Sequence, residues 1–153
     1  MDIQFPPFLQ KGDKVVIVSP SSKIDQQFLK GAKKRMESWG LKVAIGKHAG
    51  SSSGRYAGTI KQRLKDLQDA MDDPKVKAIL CSRGGYGAVH LIDKIDFTAF
   101  CEHPKWLLGF SDITALHNLF QKNGYASLQS LMARHLTVEP EDDLCANYLK
   151  DIL

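Results

Sequence analysis

The amino-acid sequence predicts an α/β fold, in which a mostly parallel sheet of about five strands is flanked by helices. Two observations lead to this fold class. Short apolar runs alternate along the 153 residues with segments whose apolar side chains recur at helical spacing, which is the pattern of strand–helix–strand units. The first of these runs, at 14–19, has an unbroken apolar centre, as expected for a strand buried on both faces of a parallel sheet.

The first two predicted strands enclose one helix. After the strand at 14–19, a helix is expected to begin behind Asp25, a residue type favoured at N-caps, and to end at Gly40. Residues 41–45 predict the second strand. The stretch 46–58 is rich in glycine and serine, which predicts a flexible loop.

The next helix has the clearest start signal of the chain. Thr59 and Gln62 have the spacing of a capping box, and apolar residues follow at helical spacing until the break at 72–74. Residues 76–82 then predict the third strand. A helical run is expected at 88–92, behind a loop rich in glycine.

The last part of the chain continues the alternation. A short helix is expected at 96–100, and an apolar strand then runs to Gly109. The helix behind that strand is expected to end at 123–124, and 125–129 predicts the fifth strand. A final helix is expected from Glu139 onward, because proline and acidic residues favour its first turn.

The stretch around Ser111 has the order of a nucleophile elbow. A strand, a sharp turn with a serine at its tip and a helix would expose the hydroxyl at the carboxyl edge of the sheet. The helix N-terminus also places the serine where developing oxyanion charge is stabilised. The pattern Gly-x-Ser-Asp lacks the final glycine of the familiar hydrolase motif. A serine that merely caps the helix is the other interpretation of the same residues.

The loop at 83–87, Arg-Gly-Gly-Tyr-Gly, also joins a strand to a helix, so it is expected at the same edge of the sheet as Ser111. Its glycines allow backbone N–H groups to approach a ligand closely, and we predict an oxyanion hole formed by the amides of Gly85 and Asp112. A plain tight turn stays open as an alternative. A phosphate cradle is disfavoured, because the glycine spacing matches neither common phosphate-binding motif. Arg83 either pairs with a substrate carboxylate or lies on a solvated rim.

The sequence offers no convincing base for Ser111. His117 follows it by six positions on the same predicted helix and therefore lies on a different face. None of the five histidines has the strand–loop context of a triad histidine; they are His48, His90, His103, His117 and His135.

Composition and charge exclude several function classes. The three cysteines are widely spaced, which argues against disulfides and a metal site and fits a reducing cytoplasm. The formal charge of +4 is spread over scattered side chains, so a nucleic-acid partner is not expected. The N-terminus does not have the pattern of a signal peptide, and no apolar run is long enough to span a membrane.

Taken together, these features resemble the N-terminal domain of the LD-carboxypeptidase family. This family of serine peptidases includes muramoyltetrapeptide carboxypeptidase and the microcin-C immunity peptidases. The loop at 83–87 and the elbow at 109–114, in this order and separation, are the most specific matches. The other matching segments are Gly12-Asp13 with Val15 to Pro20, and Tyr56 to Thr59 with Arg63.

The resemblance implies a domain of the class I glutamine amidotransferase-like or flavodoxin-like type. It implies cleavage of the bond between an L- and a D-residue of murein tetrapeptide, which releases D-alanine in cytoplasmic peptidoglycan recycling. It also implies a Ser-His-Glu triad without metal or cofactor. Carried onto this chain, Ser111 is the nucleophile, the Asp112 and Gly85 amides form the oxyanion hole, and Arg83 and Tyr86 line the pocket.

Two departures from the family shape the expectations. Residues 1–153 correspond to the nucleophile-bearing domain, whereas the family takes its glutamate and histidine from a C-terminal domain, so we expect the isolated chain to be inactive. Gln129 begins the segment in which the family usually has a histidine. Two other functions stay open from the residues. One is a non-catalytic peptide- or anion-binding module, and the other is a scaffold whose apolar surface pairs in a homodimer.

Overall fold

A computed structural model describes residues 3–153 as an α/β domain built on one parallel sheet of five strands. The spatial order of the strands is β2-β1-β3-β4-β5, and each neighbouring pair is parallel. The predicted fold class is confirmed. The strands are Lys14–Val18 (β1), Lys42–Ile45 (β2), Val76–Cys81 (β3), Trp106–Gly109 (β4) and Leu128–Gln129 (β5).

Helices connect the strands and cover both faces of the sheet. Three single turns of 3₁₀ helix occur at Ala88–His90, Phe100–Glu102 and Ser111–Ile113. None of the helices in the described part of the chain is long and apolar enough to cross a membrane. The α-helices are Gln26–Ser38 (α1), Ile60–Asp72 (α2), Thr114–Lys122 (α3), Ala133–Val138 (α4) and Leu144–Ile152 (α5).

The sheet separates two apolar cores. Val15 and Ile17 of β1 pack with the buried faces of α1, α4 and α5, whereas Val16 and Val18 pack with those of α2 and α3. Successive side chains of a strand point to opposite faces, so a strand that is apolar at every position supplies both cores. This double burial is why the unbroken apolar run of β1 was informative.

A buried cation closes the C-terminal end of α2. The ammonium of Lys105 donates hydrogen bonds to the carbonyls of Met71 and Asp73 at 2.7 Å each, and a longer one to Ala70 at 3.4 Å. These carbonyls have no partner within the helix, and a positive charge at a helix C-terminus is favourable. Burial lowers the pKa of Lys105 to about 8.

The capping box of Thr59 and Gln62 is confirmed at the start of α2. Asp25 occupies the N-cap position of α1, but its side chain makes no capping hydrogen bond. The predicted helix at 88–92 is wrong beyond one turn of 3₁₀ helix. Its first amide, that of Ala88, donates instead to the Asp112 carboxylate, which ties this segment to the elbow.

The region after α3 departs most from the sequence prediction. The fifth strand covers only two residues, because Tyr125 pairs with Gln4 and the Ala126 amide donates to the Gln4 carbonyl. The helix α4 is not predicted by the sequence, since its six residues are too few to show a periodic pattern. The last helix begins at Leu144, behind an Asp143 side chain that accepts from the Ala146 amide.

Candidate active site

Ser111 lies in a sharp turn between β4 and α3, where the sequence predicts the elbow. Its φ of +63° is the only positive value at a non-glycine residue of the described chain. A non-glycine residue in this region carries strain of order 1–3 kcal/mol, which persists only where the surroundings impose it. Here β4 ends at Gly109, Phe110 is extended, and the 3₁₀ turn at Ser111–Ile113 leads directly into α3. Ser111 is therefore exposed at the carboxyl edge of the sheet.

The glycine loop lies directly against this serine. A Cβ added at Gly84 would be 3.0 Å from the Ser111 Cβ, 3.1 Å from its Oγ and 3.3 Å from the Asp112 amide nitrogen. Only glycine allows the two loops to approach this closely. The structure thus brings together the two segments that the sequence placed at one edge of the sheet.

Gly85 is held next to the loop that follows β1. Its φ is +105°, and a Cβ there would meet the Ser22 side chain. The carbonyl of Gly84 accepts a hydrogen bond from the Ser22 amide at 3.2 Å. In a trans peptide the following N–H points the opposite way, so the Gly85 N–H is directed away from the Ser22 amide. The hydrogen bonds of residues 3–153 include none that this N–H donates.

The Asp112 side chain joins the elbow to both neighbouring loops. Its Oδ2 accepts from the Ser21 hydroxyl at 2.5 Å and from the Ala88 amide at 2.9 Å. Ser21 is completely buried and follows β1, whereas Ala88 follows the glycine loop. The carboxylate therefore fixes the position of its own residue, whose backbone N–H is the predicted second oxyanion donor.

Arg63 is a buried cation on the inward face of α2, with 2% of its surface exposed. Its Nη1 donates to the Pro20 carbonyl at 2.7 Å and to the Gly87 carbonyl at 2.8 Å. Burial lowers the pKa of Arg63, while Tyr56 and the Asp112 carboxylate act in the opposite direction. The sequence identifies this arginine only as a point of resemblance to the family. Its position four residues before the buried Leu67, on the apolar stripe of the helix, was the signal for an inward-facing charge.

Both ring nitrogens of His117 are engaged away from the serine. Its Nε2 lies 2.9 Å from the Gly109 carbonyl oxygen, and its Nδ1 lies 2.8 Å from the Ser127 hydroxyl. Burial lowers the pKa of His117, and the bond with Gly109 partly opposes this. His135 pairs through Nε2 with Asp143 at 3.0 Å. Within residues 3–153, no hydrogen bond joins a histidine to Ser111.

The two predicted pocket residues do not line the same cleft. Arg83 is exposed, donates to the Lys23 carbonyl at 2.8 Å and lines a cleft of about 640 Å³. Tyr86 is not among the residues that line this cleft. It is 45% exposed and packs edge-on against His90, with ring centroids 5.4 Å apart. The cleft is also lined by Lys23, Asp25, Phe28, Phe110, Met132, Arg134, His135 and Glu139.

Gln129 lies at the outer edge of the sheet, next to the elbow strand. It pairs in register with Gly109, and together with the half-exposed Phe110 it lines an apolar groove of about 440 Å³. Tyr148 and Ile152 of α5 form the other wall of this groove. The groove thus adjoins Phe110, the residue that precedes Ser111.

The remaining reactive groups are the cysteines and the potential metal ligands. Burial raises the pKa of the Cys81 thiol far above its ordinary value, so this thiol is unreactive. Cys101 and Cys145 are exposed and unpaired. In the part of the chain that the structure describes, no group of three or more His, Cys, Asp or Glu side chains could hold a metal ion.

Comparison with known proteins identifies relatives of the chain. The sequence profile of the LD-carboxypeptidase N-terminal domain matches residues 15–130. Over 118 residues, 77% of the chain, it is 40% identical to a Bacillus subtilis protein named "Probable murein peptide carboxypeptidase" and covers 37% of that protein. Over 128 residues, 83% of the chain, it is 33% identical to the murein tetrapeptide carboxypeptidase of Pseudomonas aeruginosa and covers 42% of that protein.

Among solved structures, the MccF-like protein of Bacillus anthracis superposes with a TM-score of 0.88 at 31% identity. The superposition covers 98% of this chain and 47% of that protein. The chain therefore spans less than half the length of each of these three relatives.

Proposed function

The chain belongs to the LD-carboxypeptidase family, and from this premise we propose that it is the nucleophile-bearing domain of a serine carboxypeptidase acting on murein peptide. The reaction is hydrolysis of the bond between an L- and a D-residue of murein tetrapeptide, which releases the terminal D-alanine. We place this reaction in cytoplasmic peptidoglycan recycling. The two murein peptide carboxypeptidases among the relatives support this substrate class.

The observation that carries the proposal is the strained Ser111 against Gly84. The Ser111 oxygen attacks the carbonyl of the scissile bond, and its proton passes to a general base. The carbonyl oxygen becomes an oxyanion, which accepts hydrogen bonds from the Asp112 and Gly85 amides. The base then donates the proton to the leaving amine of D-alanine, and water releases the acyl group.

The base and its orienting carboxylate are proposed to be the histidine and glutamate that the family takes from its C-terminal domain. The engagement of both His117 nitrogens supports this assignment, because a histidine bound in this way has no free acceptor for the serine proton. Ser111 is exposed at the sheet edge, which leaves room for a second domain to approach it.

The peptide is proposed to lie in the cleft beside the elbow. Arg83 is placed there to pair with a carboxylate of the substrate, and Phe110 adjoins both the cleft and Ser111. The exposed Tyr86 ring, which lies outside this cleft, is proposed to contact the substrate as well. No metal or cofactor takes part in this proposal.

A microcin-C immunity peptidase is the second candidate. The favouring observation is the MccF-like structure of Bacillus anthracis, which matches nearly the whole chain. The two activities differ in what leaves the scissile carbonyl. Turnover of murein tetrapeptide compared with that of an aminoacyl sulfamoyl nucleoside would therefore separate them.

The proposal is tested by combining the purified 153-residue chain with the separately expressed C-terminal half of the Pseudomonas aeruginosa relative. We expect release of D-alanine from murein tetrapeptide by the mixture. The chain alone should be slower by about 10⁴-fold or more, since loss of triad members has an effect of this size. Ser111→Ala should abolish turnover by the mixture, whereas Ser52→Ala, a loop serine elsewhere, should not.

Three outcomes would overturn the proposal. Rapid hydrolysis by the chain alone would mean that it contains its own base. Undiminished turnover by Ser111→Ala would remove the nucleophile assignment. Tight peptide binding without any turnover by the mixture would favour a non-catalytic binding module.

A further inference from the structure

One peptide group beside the elbow is held at both of its ends by opposite charges. The carbonyl of Gly87 accepts from the Arg63 guanidinium at 2.8 Å, and the N–H of Ala88, in the same peptide group, donates to the Asp112 carboxylate at 2.9 Å. Hydrogen bonds to charged groups are about twice as strong as those between neutral groups. The Gly87–Ala88 peptide is therefore clamped between α2 and the elbow.

The same two side chains hold the loop after β1 in the same way. Arg63 donates to the Pro20 carbonyl at 2.7 Å, and Asp112 accepts from the hydroxyl of the next residue, Ser21, at 2.5 Å. The loop after β1 and the glycine loop are thus each held between the Arg63 guanidinium and the Asp112 carboxylate. Arg63 is almost fully buried, and the guanidinium lies 5.1 Å from the centre of the Tyr56 ring. This packing leaves the cation little freedom to move.

We infer that Arg63 is a positioning residue that sets the separation of the two oxyanion donors. The inference rests on the proposed function, in which the amides of Gly85 and Asp112 bind the oxyanion. Gly85 lies two residues before Gly87, which provides the carbonyl of the clamped peptide. Asp112 carries the carboxylate that accepts from the N–H of the same peptide. The two donors belong to different loops, so their spacing depends on this connection rather than on a shared helix.

The geometry favours arginine over lysine at this position. A single guanidinium nitrogen, Nη1, reaches both carbonyls, while the guanidinium carbon lies over the Tyr56 ring at 5.1 Å from its centre. A lysine ammonium would lack the planar face for this packing. An oxyanion hole must be preorganised, because donors that move at the moment of reaction lose much of their electrostatic advantage.

The test uses a peptide in which a boronic acid replaces the scissile carbonyl. The Ser111 oxygen bonds to boron and its proton passes to water, which leaves a tetrahedral anion that mimics the oxyanion. We expect Arg63→Met to weaken this adduct by about 10-fold to 100-fold, the effect expected for a misplaced or lost oxyanion donor. Binding of the product tripeptide should change by less than about 2-fold, because this ligand has no tetrahedral centre and places no oxyanion between the two donors.

Lys105→Met is the matched control. It removes another buried cation that donates to backbone carbonyls, but at the C-terminal end of α2. It should lower the melting temperature without changing the affinity for the boronic acid. A purely structural role of Arg63 would instead make the two variants behave alike.

Ser21→Ala is the second variant, in case Arg63→Met does not fold. It removes only one hydroxyl from the clamp and should weaken the boron adduct in the same direction by a smaller factor. The inference is overturned if Ser21→Ala and every folded Arg63 variant bind the boronic acid as the wild type does. The proposed function fails separately, if the wild-type chain gives no tetrahedral boron signal or if Ser111→Ala still gives one.

Discussion

A methyl group on Gly84 would come within 3.1 Å of the Ser111 hydroxyl oxygen, so the elbow and the glycine loop leave no space for a side chain between them. Gly84 has no positive φ that would itself demand glycine, and its requirement is steric. The contact is made with the proposed nucleophile, Ser111, and with the Asp112 amide at 3.3 Å. A change at Gly84 therefore acts on the proposed chemistry more directly than on the fold.

Gly84→Ala is accordingly expected to reduce kcat by about 100-fold in the mixture of the chain with the C-terminal half of the Pseudomonas aeruginosa relative, since a shift of about 1 Å in a reacting group has an effect of this size. Gly50→Ala is the control, because a Cβ there meets only the flexible Gln26 side chain. The measurement is D-alanine release together with the melting temperature of each variant. Equal losses of activity in the two variants would show that the Gly84 contact has no special effect.

Lys105→Met is expected to destabilise the fold by about 2–4 kcal/mol, because it removes the buried donor to the Ala70 and Met71 carbonyls at the end of α2. Chemical denaturation of the two proteins measures this difference in the free energy of unfolding. A loss below about 0.5 kcal/mol, the range of ordinary surface substitutions, would contradict a capping role for the ammonium.

The same lysine should make stability depend on alkaline pH. Its pKa is about 8 in the folded chain, against an ordinary value of 10.5. Between these two pKa values the unfolded chain binds more protons than the folded chain. The free energy of unfolding of the protein therefore rises with pH across this range. The difference between wild type and Lys105→Met should therefore be larger at pH 10 than at pH 7. A constant difference would argue that Lys105 titrates normally in the fold.

His117 should make stability depend on acidic pH. Burial lowers its pKa below the ordinary 6.5, so the unfolded chain takes up a proton first as the pH falls. Stability from this group is complete above about pH 6.5 and decreases below it, until the folded-state pKa is reached. In His117→Gln this part of the decrease in melting temperature between pH 7 and pH 5 should disappear. An identical pH profile in both proteins would mean that the buried ring does not titrate as expected.

The fold was predictable because it is encoded in local patterns. The apolar runs of β1 and β3 and the capping box at Thr59 are each visible within a few residues of sequence. The turn between β4 and α3 could also be predicted, since strand, serine and helix follow one another directly around Ser111. Even the glycine loop could be placed at the same edge, because the carboxyl ends of parallel strands share one side of the sheet.

The rest of the site depends on contacts that no local pattern contains. The clamp of Arg63 and Asp112 holds Pro20, Gly87 and Ala88, and its backbone partners carry no sequence signature. The assignment of the short helix α4 likewise depends on packing against α1, where Thr137 donates to the Phe28 carbonyl. Neither propensity nor periodicity predicts the contacts of Arg63 and Asp112 or the helix α4, because tertiary packing determines these features.

The central position of β1, β3 and β4 in the sheet has a consequence for how ligands and folding are linked. The hydrogen bonds that join the site loops connect residues 24 to 91 positions apart, such as Ala88 or Ser21 with Asp112. No short fragment of the chain therefore contains the site, which exists only after the three inner strands have paired. A molecule that binds there recognises the folded state alone, and by mass action it raises the melting temperature of the whole domain. Thermal shift can thus serve as a screen for substrates without any catalytic turnover.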